Sequence, residues 1–82
     1  MIQNKLGLHT RAAAKLVDLA KRFESQIDVT YRERKVDCKS IMGIITLGAQ
    51  KDDVLDFEIM GNDETDAETA IETLLKNKFG EE

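Results

Sequence analysis

Residues 27–32, Ile-Asp-Val-Thr-Tyr-Arg, alternate apolar and polar side chains without a break. A period of two belongs to a β-strand with one face in a core and the other in water. A second stretch of this kind follows later, where Leu55, Phe57 and Ile59 interleave with Asp56 and Glu58. Strands patterned in this way build an antiparallel sheet that needs a cover on one side only. The cover has to come from the segments between them, and those segments change period.

From Thr10, the residues Ala13, Leu16, Val17, Ala20 and Phe23 fall on one face of a helix. After the strand at 27–31, a turn near Glu33-Arg34 leads to a short strand with Val36 and Cys38 inward. Ser40 to Leu47 reads as a short helix closed by Gly48. Gly61 ends the strand that carries Leu55, Phe57 and Ile59. Asp63 or Thr65 caps a last helix that buries Ala67, Ile71, Leu74 and Leu75, and Gly80 is its stop. With a short first strand in residues 1–6, the order is β-α-β-β-α-β-α. The expected class is α+β, one single domain over 1–82, with helices on one side of a sheet. Ferredoxin-like domains share the first six elements, so the order alone does not separate the two.

An 82-residue chain has room for one small core. Its 41% hydrophobic and 34% charged residues are those of a soluble domain, and no apolar run approaches the ~20 residues that span a bilayer. The start lacks the pattern of a signal peptide. Cys38 is the single cysteine, so no intrachain disulfide forms and a cytoplasmic location is expected. The net charge of −4 is uneven, with residues 1–22 at +4, residues 23–51 at +1 and residues 52–82 at −9. A basic beginning suits an anionic ligand or acidic partner near His9, and the acidic end opposes nucleic-acid binding.

His9 is the only histidine, and it directly precedes the first helix. The opening N–H groups of a helix lack internal partners and, with the helix dipole, make an anion site. Gly7 permits the turn into the helix, and Arg11 can add a charge-assisted contact to phosphate oxygens. A neutral imidazole can attack a phosphoryl group, while the N–H groups hold the product. The plain alternative is a histidine that only caps or decorates the helix start. One His and one Cys are too few for a metal site, and Cys38 at an inward position reads as a small core residue rather than a nucleophile. No metal and no cofactor are expected.

The stretch "NKLGLHTRAAAKL", residues 4–16, resembles the active-site segment of the HPr phosphocarriers of the bacterial phosphoenolpyruvate-dependent phosphotransferase system. "KSIMGIITLGA", residues 39–49, resembles that family's regulatory-serine helix, and the two lie at the family's spacing. The resemblance implies an open-faced β-sandwich, a four-stranded antiparallel sheet covered on one side by three helices. It implies a carrier rather than an enzyme, in which His9 is phosphorylated on Nδ1 by enzyme I and hands the group to an enzyme IIA-type domain, as in sugar transport. Arg11 matches the family's phosphate-site arginine. Ser40 matches the serine phosphorylated by HPr kinase/phosphorylase in organisms that have it. Many members carry proline where this chain has Ala12, and the alanine resembles the proteobacterial nitrogen-related branch. Members usually begin several residues earlier, so residues 1–3 are expected to form a curtailed first strand.

The short helix carries more apolar residues than one buried face needs. Ile44 and Leu47 can face the sheet, which leaves Ile41, Met42 and Ile45 on another side. With Thr10 they form the expected partner-binding patch; the plain alternative is a helix buried all round. Ser40 is a natural N-cap, and a phosphate there would place about −1.5 to −2 charges beside the patch. A monomer is expected. Two other classes compete: a regulatory module acting only through its phosphorylation state, and a ferredoxin-like RNA-binding domain. The second needs stacking aromatics on its central strands, whereas Tyr31 and Phe57 are both expected on the core side.

Overall fold

The computed structural model describes Ile2 and residues 7–80. The alternating stretch forms β1, Gln26–Tyr31, and the next strand is β2, Arg34–Asp37. The turn between them sits at Arg32-Glu33, one residue earlier than the sequence suggests, and Arg32 turns the chain with φ 58°. β3, Asp56–Met60, lies on the other side of β1, so the antiparallel sheet has the order β2-β1-β3. The expected first strand, residues 1–6, lies outside the described residues apart from Ile2. Its N–H donates to Asp53 O at 2.9 Å, and its carbonyl accepts from Asp52 N at 2.8 Å.

Register puts the alternation to use. Ile27 pairs with Ile59, and Val29 pairs with Phe57 and Val36, so one sheet face is apolar. On the other face Asp28 lies between Asp37 and Glu58. Lys35 Nζ reaches Glu58 at 3.1 Å and Asp28 at 3.9 Å, which offsets part of that like-charge row.

Among the described residues three α-helices cover the apolar face. α1, Thr10–Ala20, buries Ala12, Ala13, Leu16, Val17 and Ala20; Phe23 lies beyond its end and is half-buried. α2, Ile41–Leu47, is capped by Ser40, whose Oγ accepts from Gly43 N at 3.2 Å. It closes at Gly48 in the left-handed conformation, as glycine allows without a Cβ penalty. α3, Glu64–Lys76, buries Ala67 and Ile71, with Leu74 and Leu75 half-buried behind them. The core joins these side chains to Ile2, Leu8, Ile27, Val29, Cys38, Ile44, Leu47, Leu55 and Phe79.

Two expectations about α3 are corrected. Asp63 occupies the N-cap position, yet its side chain makes no cap hydrogen bond. Its carboxylate instead accepts from Glu24 N (2.8 Å), from Ser25 N (3.0 Å) and from the Ser25 hydroxyl, pinning the entrance of β1 to the entrance of α3. Gly61 is required there, because a Cβ would come within 2.6 Å of Ser25 Cα. Nor does Gly80 stop the helix. α3 ends at Lys76, and Lys78 and Phe79 then take left-handed backbone angles (φ 54° and 57°) that turn the Phe79 ring into the core. The large apolar ring outweighs the preference for ending at a glycine.

Candidate functional site

The site begins with the close approach of two loops. Gly7 has φ +67°, and a Cβ on it would lie 2.6 Å from Gln50 Cα and 2.8 Å from Ala49 O. Leu8 N donates to Ala49 O at 2.8 Å, and the Leu8 side chain is buried. The segment before α1 is therefore seated on the segment after α2, which fixes the direction in which His9 leaves the backbone.

His9 is the N-cap of α1, with extended backbone (φ −77°, ψ 178°), and its carbonyl accepts from Ala13 N at 2.8 Å. Its Nδ1 accepts from the Arg11 backbone N–H at 3.2 Å. This contact has a chemical consequence. A neutral imidazole that accepts at Nδ1 carries its proton on Nε2, so the helix N–H selects the tautomer with a lone pair on Nδ1. The ring is half-buried, and the flanking Thr10 and Arg11 are exposed. Among the described residues the Arg11 side chain forms no hydrogen bond or ion pair, so it can fold over an anion placed on the ring.

Ser40 stands at the far end of α2 from the loop that supports His9. Seven helical residues separate the two ends, about 10 Å of rise. Its hydroxyl is exposed and engaged in the cap. The patch expected around it is divided by the structure. Ile41 is 37% exposed and Met42 65%, whereas Ile45 is half-buried and packs against the core. Only the first turn of α2 presents apolar surface.

Polar groups that carry little local signal in the sequence shape the supporting loop. Asp53 Oδ2 accepts from Tyr31 Oη at 2.6 Å and from Gln50 N at 2.8 Å. These bonds hold the Asp53 carboxyl below its ordinary value, the Tyr31 bond most, and raise the Tyr31 hydroxyl above its own. The only available signal was an Asp three residues after Gln50, a spacing at which a side chain can close a turn. Burial first, and then Asp37, push the Cys38 thiol up to about 12. Among the described residues no group of three potential ligands could hold a metal ion. No helix among them is long and apolar enough to cross a membrane.

Comparison with known proteins gives this geometry a family. Residues 1–77 match the family model described as "PTS HPr component phosphorylation site". Phosphocarrier protein HPr of Cupriavidus necator is 48% identical over 80 residues, covering 98% of this chain and 90% of that protein. The HPr of Neisseria meningitidis is 44% identical, with the same coverage of both chains. The crystal structure of an HPr from Thermoanaerobacter tengcongensis superposes with a TM-score of 0.94 at 47% identity, covering 99% of this chain and 91% of that one. HPr proteins are phosphocarriers and not enzymes, and the α+β fold and the likeness over 98–99% of this chain agree: this chain belongs to the HPr family of phosphocarriers of the phosphotransferase system.

Proposed function

We propose that His9 is the residue that carries the phosphoryl group. It takes the group from enzyme I, charged by phosphoenolpyruvate, and passes it to an enzyme IIA-type domain. The observation that carries this reading is the hydrogen bond from Arg11 N to His9 Nδ1. The tautomer it selects leaves a nucleophilic lone pair on the atom that faces the helix mouth. In the transfer the ring swings to free that lone pair, Nδ1 forms a bond to phosphorus, and the donor's bond to phosphorus breaks. The released Arg11 N–H then donates to a phosphoryl oxygen, helped by the positive end of the α1 dipole. The exposed Arg11 guanidinium supplies the mobile countercharge.

Docking of both partners is assigned to Thr10, Ile41 and Met42, with Ile45 supporting them from the half-buried side of α2. Exposed aliphatic and methionine side chains suit a surface that several partners use in turn. Ser40, exposed at the start of α2, is the proposed regulatory phosphate site for HPr kinase/phosphorylase. The carrier is proposed to act in the cytoplasm as a monomer. One similar chain, from T. tengcongensis, has been described as an HPr dimer (TM-score 0.84, 46% identity), so sedimentation of this chain decides between the two states.

The test is incubation with enzyme I and phosphoenolpyruvate, read by intact mass. One acid-labile phosphate is expected on the parent protein and none on His9→Ala. Undiminished phosphorylation of His9→Ala sinks the assignment.

A further inference from the structure

Tyr31 and Asp53 have no place in the chemistry above, yet they meet at the base of the loop that seats His9. We propose that Asp53, clamped by Tyr31, is a positioning residue that, through the turn at residues 50–53, holds the His9 ring against Arg11 N in the tautomer that keeps the Nδ1 lone pair for transfer. The inference rests on His9 being the phosphoryl acceptor.

The connection is continuous. Tyr31 closes β1, so its hydroxyl is referenced to the sheet. That hydroxyl donates to Asp53 Oδ2 at 2.6 Å, and the same oxygen accepts from Gln50 N at 2.8 Å. Asp53 N returns a hydrogen bond to Gln50 O at 3.0 Å, so the turn is closed from both ends. Inside it Asp52 has φ 73°, a left-handed conformation that a non-glycine residue keeps only when its surroundings enforce it. Ile2 adds two further backbone hydrogen bonds, one to each of Asp52 and Asp53.

The other side of this turn is the floor of the site. Gln50 Cα and Ala49 O are the atoms that leave no room for a side chain at Gly7, and Ala49 O is the acceptor for Leu8 N. There is no slack between the two loops. If Asp53 lets go of Gln50, Ala49 and Gln50 shift, and Gly7 and Leu8 shift with them. His9 is the next residue, and its 3.2 Å bond to Arg11 N depends on where the ring leaves the chain. A small displacement there is costly, because transfer to a ring atom needs close alignment of the reacting groups.

The test uses the full chain and the variants Asp53→Ala, Asp53→Asn and Tyr31→Phe, with His9→Ala as control. Enzyme I kinetics are measured with the carrier as varied substrate, and the His9 ring nitrogens are followed by 15N NMR. Thermal unfolding identifies which variants are folded at the assay temperature. Asp53→Ala is expected to lower kcat roughly tenfold with KM nearly unchanged, and to raise the fraction of ring protonated at Nδ1. Asp53→Asn is expected to recover most of both, since its amide oxygen can still accept from Gln50 N. Tyr31→Phe, a smaller change that decides the matter if Asp53→Ala does not fold, is expected to fall between the two. Parental kcat and unchanged ring signals in the folded variants overturn the positioning role while leaving His9 as acceptor, provided His9→Ala is inert. Phosphate uptake by His9→Ala removes the acceptor and the positioning role together.

Discussion

Lys15 Nζ donates a 2.6 Å hydrogen bond to the carbonyl oxygen of Phe79, fastening the end of the described chain to α1, the helix that His9 caps. The ring of Phe79 is fully buried, so the contact joins a polar tether to an apolar plug. Phe79→Ala is expected to destabilise the fold by about 3–5 kcal/mol through the cavity it leaves. Lys15→Met, which keeps the stem and removes the donor, is expected to cost about 1 kcal/mol. Urea titrations of both variants measure the difference, and equal losses would mean that the ring is not the main anchor.

Arg11→Ala is expected to slow phosphoryl transfer without altering the melting temperature. The parent side chain has no hydrogen-bond or ion-pair partner among the described residues to lose. The lost charge-assisted contact corresponds to about 1.5–3 kcal/mol in the transfer barrier. Rapid-quench kinetics beside a thermal melt check this, and a collapsed melting temperature at unchanged rate contradicts it.

Ser40→Asp is expected to keep α2, because aspartate also caps helices, whereas Ser40→Ala should cost about 1 kcal/mol. The new charge next to Ile41 and Met42 should weaken binding of an acidic partner face, and that loss should shrink at high salt. Met42→Ala should weaken the same binding with no salt response, since it removes apolar contact alone. Titrations with enzyme I at two ionic strengths separate the effects.

Asp63 sets an acid limb on stability. The Ser25 hydroxyl first, and the backbone N–H groups of Glu24 and Ser25 with it, hold this carboxyl below its ordinary value of 3.8. A depressed folded value means that the stabilisation is complete above the unfolded value and is lost as pH falls through the folded one. The melting temperature should therefore decline on acidification below about pH 4. Asp63→Asn should lower it at neutral pH and make the acid decline shallower. Melts from pH 2 to pH 7 test both parts.

Cys38, with its thiol pushed up to about 12 by burial and then by Asp37, should resist thiol reagents in the native protein at pH 8. Labelling should begin only with unfolding. Its rate across a urea series should follow the unfolded fraction, and fast labelling without urea would show that the position opens locally.

The alternation at 27–31 and the helical spacing from Ala13 to Ala20 were legible because burial on one side imposes a period that a sequence displays directly. Ser40 and Gly48 marked the ends of α2 for a similar reason: each answers a local backbone need at its own position. His9 was legible as a residue at a helix start, and the role proposed for it came only from likeness to a family. What the chain hid were relations between distant segments. Nothing near Asp63 says that its carboxylate serves Ser25, and nothing near Phe79 says that it folds back against α1. Asp53 belongs with these, since its acceptor function depends on Tyr31, the last residue of β1.

The seating of Leu8 on Ala49 joins positions half a chain apart, and that separation governs when a new molecule becomes competent. Contacts so distant in sequence form only after the intervening chain has paid its loop-closure entropy. α1 can gather locally around its alanines, but the loop that aims His9 stays unset until α2 and the turn beyond it have been made and docked. A partly synthesised or partly folded chain thus carries the histidine without its orientation. In the role proposed for His9, a phosphoryl donor therefore meets a usable acceptor only in the finished fold.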